Sequence, residues 1–174
     1  SPGQTSISHN GLKSGRRVHF ETDDYDHFKN WIDTNEKITA RFNRWNMLCT
    51  YGKKTGTFEM RSTHPDHVYL ENTLITQGRY INEKDLTEYR KVSCIGEAVV
   101  EQLFEQTDPI GKYINISGIP FKVVGVFTDQ GNDGELQKVY TPITTAQKVY
   151  SRPNRIDQIM FTIGDASVEE SIEI

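Results

Sequence analysis

The chain has 174 residues, 25% of them charged, and a formal net charge of −4. That length carries one domain with a sizeable core or two small lobes sharing one, in the composition range of ordinary globular proteins. Nucleic acid is excluded as a partner on charge grounds: the one basic cluster, Lys13, Arg16 and Arg17, is followed almost at once by Asp23, Asp24 and Asp26, the pattern of a solvated turn.

Residues 1–15 are rich in Ser, Gly and Asn and read as an extended lead-in, followed by a short strand at "RVHF". Thr22 is expected to cap a helix, with Asp23 and Asp24 set favourably against its positive end. Tyr25, Phe28 and Ile32 form the apolar face of that helix, and Trp31 widens it. "KITARFN" alternates Ile38, Ala40 and Phe42 against Thr39, Arg41 and Asn43, a half-buried strand. "MLCTYGKKTGTFEMR" reads as a hairpin with a Gly52–Gly56 loop, and the stretch through "HPDHVYLENTLITQGRYI" is less regular.

"KVSCI" is a compact strand that runs into the helix "GEAVVEQLF", with Val100, Leu103 and Phe104 as its buried stripe. Asp108-Pro109 closes that region and Gly111 reopens the turn. Ile114 and Ile116 alternate with polar neighbours, the Ser117-Gly118 turn reverses the chain, and "FKVVGVF" follows as a strand apolar on both faces and therefore central. Gly125 inside it predicts a bulge or a close backbone approach. After the polar loop "GNDGE" come the strand "VYTP", a short helix capped by Thr144, and the strand "DQIMFTI". Ser167 and Glu170 form a capping box, and Val168 and Ile172 begin an apolar stripe that stops after barely two turns; with Ser1 in place of an initiator Met, this leads to the expectation of excision from a longer chain. No run of about 18 apolar residues or signal-peptide core is present. The mixed order of strands and helices predicts an α+β fold.

Chemistry is thinly marked. Cys49 and Cys94 each sit in an apolar run, as buried free thiols or as a single bridge. His64, Asp66 and His67 in "HPDH" could supply two or three ligands to a metal, but Pro65 and the lack of a neighbouring fourth ligand favour a solvated loop. Asp23, Asp24 and His27 share one helical turn, where helix-start placement already accounts for the aspartates. "DQGNDGE" lacks the ligand order of a calcium loop. The sequon Asn115-Ile116-Ser117 lies in a tight hairpin, which disfavours a glycan. Nucleophile elbows, phosphate loops and dinucleotide fingerprints are missing. No catalytic residue, metal ligand or cofactor is therefore assigned.

The segment "CIGEAVVEQLFEQTDPIGKYINISGIPFKVVGVFTD" resembles the extracytoplasmic core domain of MacB/FtsX-like ABC-transporter permeases. So do "GLKSGRRVHFETDDYDHFKN", the stretch ending in Gly78, Arg79 and Tyr80, and "VYTPITTAQ" with Pro142, Thr144, Thr145, Ala146 and Gln147. The resemblance covers nearly the whole chain; the Ile38–Met60 region carries little of the pattern. It implies two lobes: a β-α-β type lobe from residues 1–60 plus 157–174, and an inserted strand-rich lobe of residues 61–155. It implies a domain outside the cytoplasmic membrane, between transmembrane helices one and two, that does no chemistry and transmits ATP-driven helix motion for export, efflux or lipoprotein release. One apolar span before Ser1 and three after Ile174 are expected. The partners implied are a cytoplasmic ATP-binding subunit or domain, a periplasmic adaptor, lipoprotein or export substrate, and a second permease in a homodimer or heterodimer. Partner contacts are expected on the Gly52–Gly56 and Gly131–Gly134 loops, at Lys53, Lys54, Asn132 and Asp133, because contact residues favour loops on rigid scaffolds. The rival readings are a free-standing ligand- or protein-binding module, with the aromatic residues lining a pocket, and, less supported, a metal-dependent hydrolase using His64, Asp66 and His67.

Overall fold

The structure, a computed structural model, describes residues 20–131, 133–151 and 154–164. The lead-in of residues 1–15, residues 17–19 of the first strand, Asn132, and the capping box at Ser167 and Glu170 lie outside the described residues. The fold is α+β. Among the described residues ten strands are β1 (Phe20–Glu21), β2 (Ile38–Tyr51), β3 (Lys54–Thr63), β4 (Thr73–Gly78), β5 (Val92–Gly96), β6 (Tyr113–Ile116), β7 (Ile119–Asp129), β8 (Lys138–Pro142), β9 (Arg155–Ile156) and β10 (Gln158–Phe161). Five short helices accompany them among the same residues: α1 (Thr22–Trp31), α2 (His67–Leu70), α3 (Glu83–Thr87), α4 (Glu97–Leu103) and α5 (Ile143–Val149), with a 3-10 turn at Asp133–Gln137.

Eight strands make one mixed sheet in the order β10-β2-β3-β8-β5-β7-β4, with β6 bonded to both β2 and β7. The hydrogen bonding therefore closes on itself: β2, β3, β8, β5, β7 and β6 form a ring, from which β10 and β4 project as edge strands. The ring strands supply residues with no solvent exposure, among them Cys49, Met60, Ile95, Ile116, Phe121 and Val139. The expected lobe boundary at residues 60/61 falls within β3; around the ring, β2 and most of β3 come from the first expected lobe and β8, β5, β7 and β6 from the inserted one.

Several local expectations need correction. β2 is one strand of 14 residues, not two, and it bends at a register shift between Arg44 and Met47, where Asn46 takes a φ of 55°. The hairpin loop is shorter than Gly52–Gly56. Tyr51 already faces Lys54, so Gly52 and Lys53 alone make the turn, with Gly52 supplying the positive φ that a II′ turn needs at its first position. Gly56 is buried in β3, where a Cβ would lie 2.7 Å from the Phe58 ring. Glu21 precedes α1, its N–H donated to the Asp24 carboxylate at 2.7 Å, so Thr22 is the first helical residue, not the cap. Trp31 is 67% exposed, because it sits at the outer edge of the stripe that Tyr25 and Phe28 turn inward. In α4 the fully buried residue beside Leu103 and Phe104 is Val99, with Val100 partly covered. Thr144 lies inside α5, where its hydroxyl donates to the Leu86 carbonyl at 2.7 Å and ties α5 to α3. The stretch read as irregular contains α2 and β4, and α3 follows directly after it.

Candidate interaction surface

Described side chains do not converge on a reaction centre. Cys49 and Cys94 are buried and unbridged. Burial pushes both thiols up to about 12, which keeps them protonated and unreactive. The "HPDH" segment is not the solvated loop expected. His64 stacks on Tyr25 with ring centroids 3.9 Å apart, and its Nδ1 accepts the Ala40 N–H at 3.0 Å. The Asp66 carboxylate accepts the Ile38 N–H at 3.0 Å, and His67 is wholly buried against Tyr140. The three side chains fasten the α2 region to β2 and β8, and among the described residues no group of three or more His, Cys, Asp or Glu is arranged to hold a metal.

The motif residues are fasteners too. Asp85 is fully buried and takes both nitrogens of the Arg79 guanidinium, at 2.7 and 3.1 Å, plus the Asn82 N–H at 2.9 Å. Tyr80 hydrogen-bonds Thr63 at 2.8 Å. Thr145 donates to the Arg90 carbonyl, and Gln147 to the Arg155 carbonyl. Across β3 and β8, Arg61 pairs with Glu59 and Glu135, and Lys138 pairs with the same two carboxylates.

Of the four expected contact residues, Lys53 stands exposed at the tip of the β2–β3 hairpin. Lys54 begins β3 and pairs with Glu105 at 2.6 Å. Asp133 begins the 3-10 turn, and Asn132 lies outside the described residues. The aromatic residues are less uniformly core than their spacing suggests: Trp45 (68%), Tyr69 (71%) and Tyr113 (60%) join Trp31 on the surface. Trp45 and Leu48 lie at the β2 bend, where the register shift turns both side chains outward.

Residues 1–173 match the sequence profile of the MacB-like periplasmic core domain. The chain belongs to this family. It is 24% identical over 168 residues to a macrolide export ATP-binding/permease protein, MacB, of Bdellovibrio bacteriovorus, covering 92% of this chain and 26% of that protein. Over a shorter stretch of 56 residues, 32% of this chain and 14% of the relative, it is 45% identical to the uncharacterized ABC transporter permease YvrN of Bacillus subtilis. The chain thus spans about a quarter or less of these relatives. In fold it is similar to the periplasmic region of MacB from Actinobacillus actinomycetemcomitans, at a TM-score of 0.73 and 20% identity, covering 90% of this chain and 71% of the other. The extracellular domain of the transporter YknZ from Gram-positive bacteria gives the same TM-score at 17% identity, covering 91% of this chain and 80% of that domain. As a MacB-like periplasmic core domain, the chain is a mixed sheet-and-helix module whose family motifs lock strands and helices together.

Proposed function

We propose that this MacB-like domain is the non-catalytic extracytoplasmic part of an ABC-transporter permease, carrying ATP-driven motion of membrane helices to a partner or substrate outside the membrane. The family match over residues 1–173 carries the reading. The closed strand ring supports it mechanically. A sheet hydrogen-bonded around its circumference resists shear, and a close-packed interior transmits strain instead of absorbing it. β2, with 14 residues, spans about 45 Å and links the β10 edge to the β6 closure in one strand. The ATPase is a separate domain or subunit, and export or efflux is the class of work that the similar MacB proteins suggest. The lobes expected from residues 1–60 plus 157–174 and from 61–155 would move together as one lever.

The test is mechanical. A flexible Gly/Ser segment inserted in the full-length permease before Phe20 and after Gly164 should leave ATP hydrolysis running and abolish transport, because a flexible linker does not pass on torque. Undiminished transport with both insertions would overturn the lever. A free-standing binding module would instead show saturable ligand binding without any ATPase partner.

A further inference from the structure

His67 is enclosed beyond what its place in a short surface helix requires. It opens α2, has no solvent exposure, and meets Tyr140 of β8 edge-on at 5.1 Å. Neither Nδ1 nor Nε2 has a hydrogen-bond partner. A neutral imidazole has one donor and one acceptor to satisfy, and an imidazolium has two donors. The charges around the ring are of one kind. Arg41 of β2 and Arg61 of β3 each oppose a positive charge on His67, as would a protonated His64 in the preceding turn. β8 contributes Tyr140, with Tyr80 packed edge-on behind it, and β4 brings no titratable side chain. The nearby carboxylates are engaged elsewhere: Glu59 and Glu135 with Arg61, Glu71 with Arg41, and Asp66 with the Ile38 N–H. Arg41 Nε is itself a buried donor without an acceptor.

We propose that His67 is an acid-sensitive latch: the neutral ring lets α2 and the His64–Asp66 turn close on the β2–β3–β8 face, and protonation releases them. An imidazolium there would be an unpaired buried cation opposed by the charges of two guanidinium groups, so the closed face takes up a proton only by opening. Burial first, then Arg41, Arg61 and His64, hold the ring well below its ordinary value. The sign follows. A base whose closed-state pKa is depressed favours the closed form fully above its ordinary pKa of about 6.5, and that preference is lost as pH falls below it. A ring that regains a pKa of about 6.5 on opening raises the opening equilibrium about thirtyfold between pH 7.5 and pH 5. His64, lowered to about 3 chiefly by burial, would add a second factor of similar direction if it were freed with α2.

Amide hydrogen exchange on the 174-residue chain reads this directly. The Tyr69 N–H bonds the Asp66 carbonyl and the Glu71 N–H bonds the His67 carbonyl, so both amides report release of α2. After correction for the intrinsic pH dependence of exchange, their opening should rise between pH 7.5 and pH 5 about thirtyfold more in the wild type than in His67→Leu. Equal pH dependence in the two proteins would overturn the latch. Should His67→Leu fail to fold, the wild-type ring decides by nuclear magnetic resonance. Protonation seen only together with loss of α2 protection supports the latch, whereas titration near pH 6.5 with those amides still protected refutes it.

Discussion

At Gly125 a Cβ would lie 2.0 Å from the Arg79 carbonyl oxygen, and at Gly78, with a φ of +67°, one would lie 2.0 Å from the Val124 carbonyl oxygen. The two backbones touch where β4 leaves β7, and only the missing side chains allow it. Gly125→Ala should therefore cost about 3 kcal/mol or more in chemical denaturation, since neither obstacle is a movable side-chain tip. The same corner is held by Asp85. Replacing it with Ala removes the acceptor of the Asn82 N–H and the carboxylate partner of Arg79 and Arg90, while Arg79 keeps its bond to the Tyr80 carbonyl and, 40% exposed, recovers some hydration. A loss of about 2–3 kcal/mol is expected, measured the same way. These positions explain the Gly-Arg-aromatic pattern: it is a strand exit pinned to a buried carboxylate.

At the scale of elements, turns were the most legible features and strand continuity the least. Ser117 and Gly118 both have positive φ, 45° and 91°, the signature of a type I′ turn, and Ile116 faces Ile119 across it. Asn tolerates that conformation better than Ser, so Ser117→Asn should raise stability by about 0.5 kcal/mol, read as a shift in denaturation midpoint at unchanged slope. The continuity of β2 is hidden because the apolar alternation of "KITARFN" and "MLCTY" breaks at residues 44–46; Asn46 absorbs the irregularity and the strand runs on through it. β4 went unseen for another reason. As an edge strand, it leaves Leu74, Thr76, Gln77 and Gly78 exposed, so no alternation distinguishes it from a loop.

For the whole molecule, ring closure makes a specific demand. Cys49 of β2 lies opposite Ile116 of β6 at the seam that completes the ring. In the lever reading this seam does not open during transport. Ile116→Cys, cross-linked to the native Cys49 in the full-length permease, should keep both ATP hydrolysis and transport; loss of transport with hydrolysis intact would show that the seam moves. Thiol chemistry offers a check in the isolated chain: with both cysteines buried and their thiols pushed up to about 12, alkylation by iodoacetamide should proceed no faster than opening of the sheet. Acid should weaken the domain as a whole. The unfolded chain binds protons on His64 and His67 that the folded one refuses, so stability should fall below about pH 6.5 by up to about 1.4 kcal/mol per pH unit for each ring, in denaturation curves recorded from pH 7 to pH 5.

Local patterning alone determined the α+β class, the central β7 strand with its glycine contact, the Ser117-Gly118 reversal and the order of most elements, because each depends on periodicity or backbone freedom within a few residues. The family motifs were readable for the same reason. Tertiary structure decided the rest. The closure of six strands into a ring depends on β6 finding β2 more than 60 residues away, a pairing that no local signal encodes. The "HPDH" segment, polar and Pro-containing, reads as a surface loop until β2, β3 and β8 are seen to bury it. Burial is a property of what packs against a residue, and for His67 those neighbours come from three other strands.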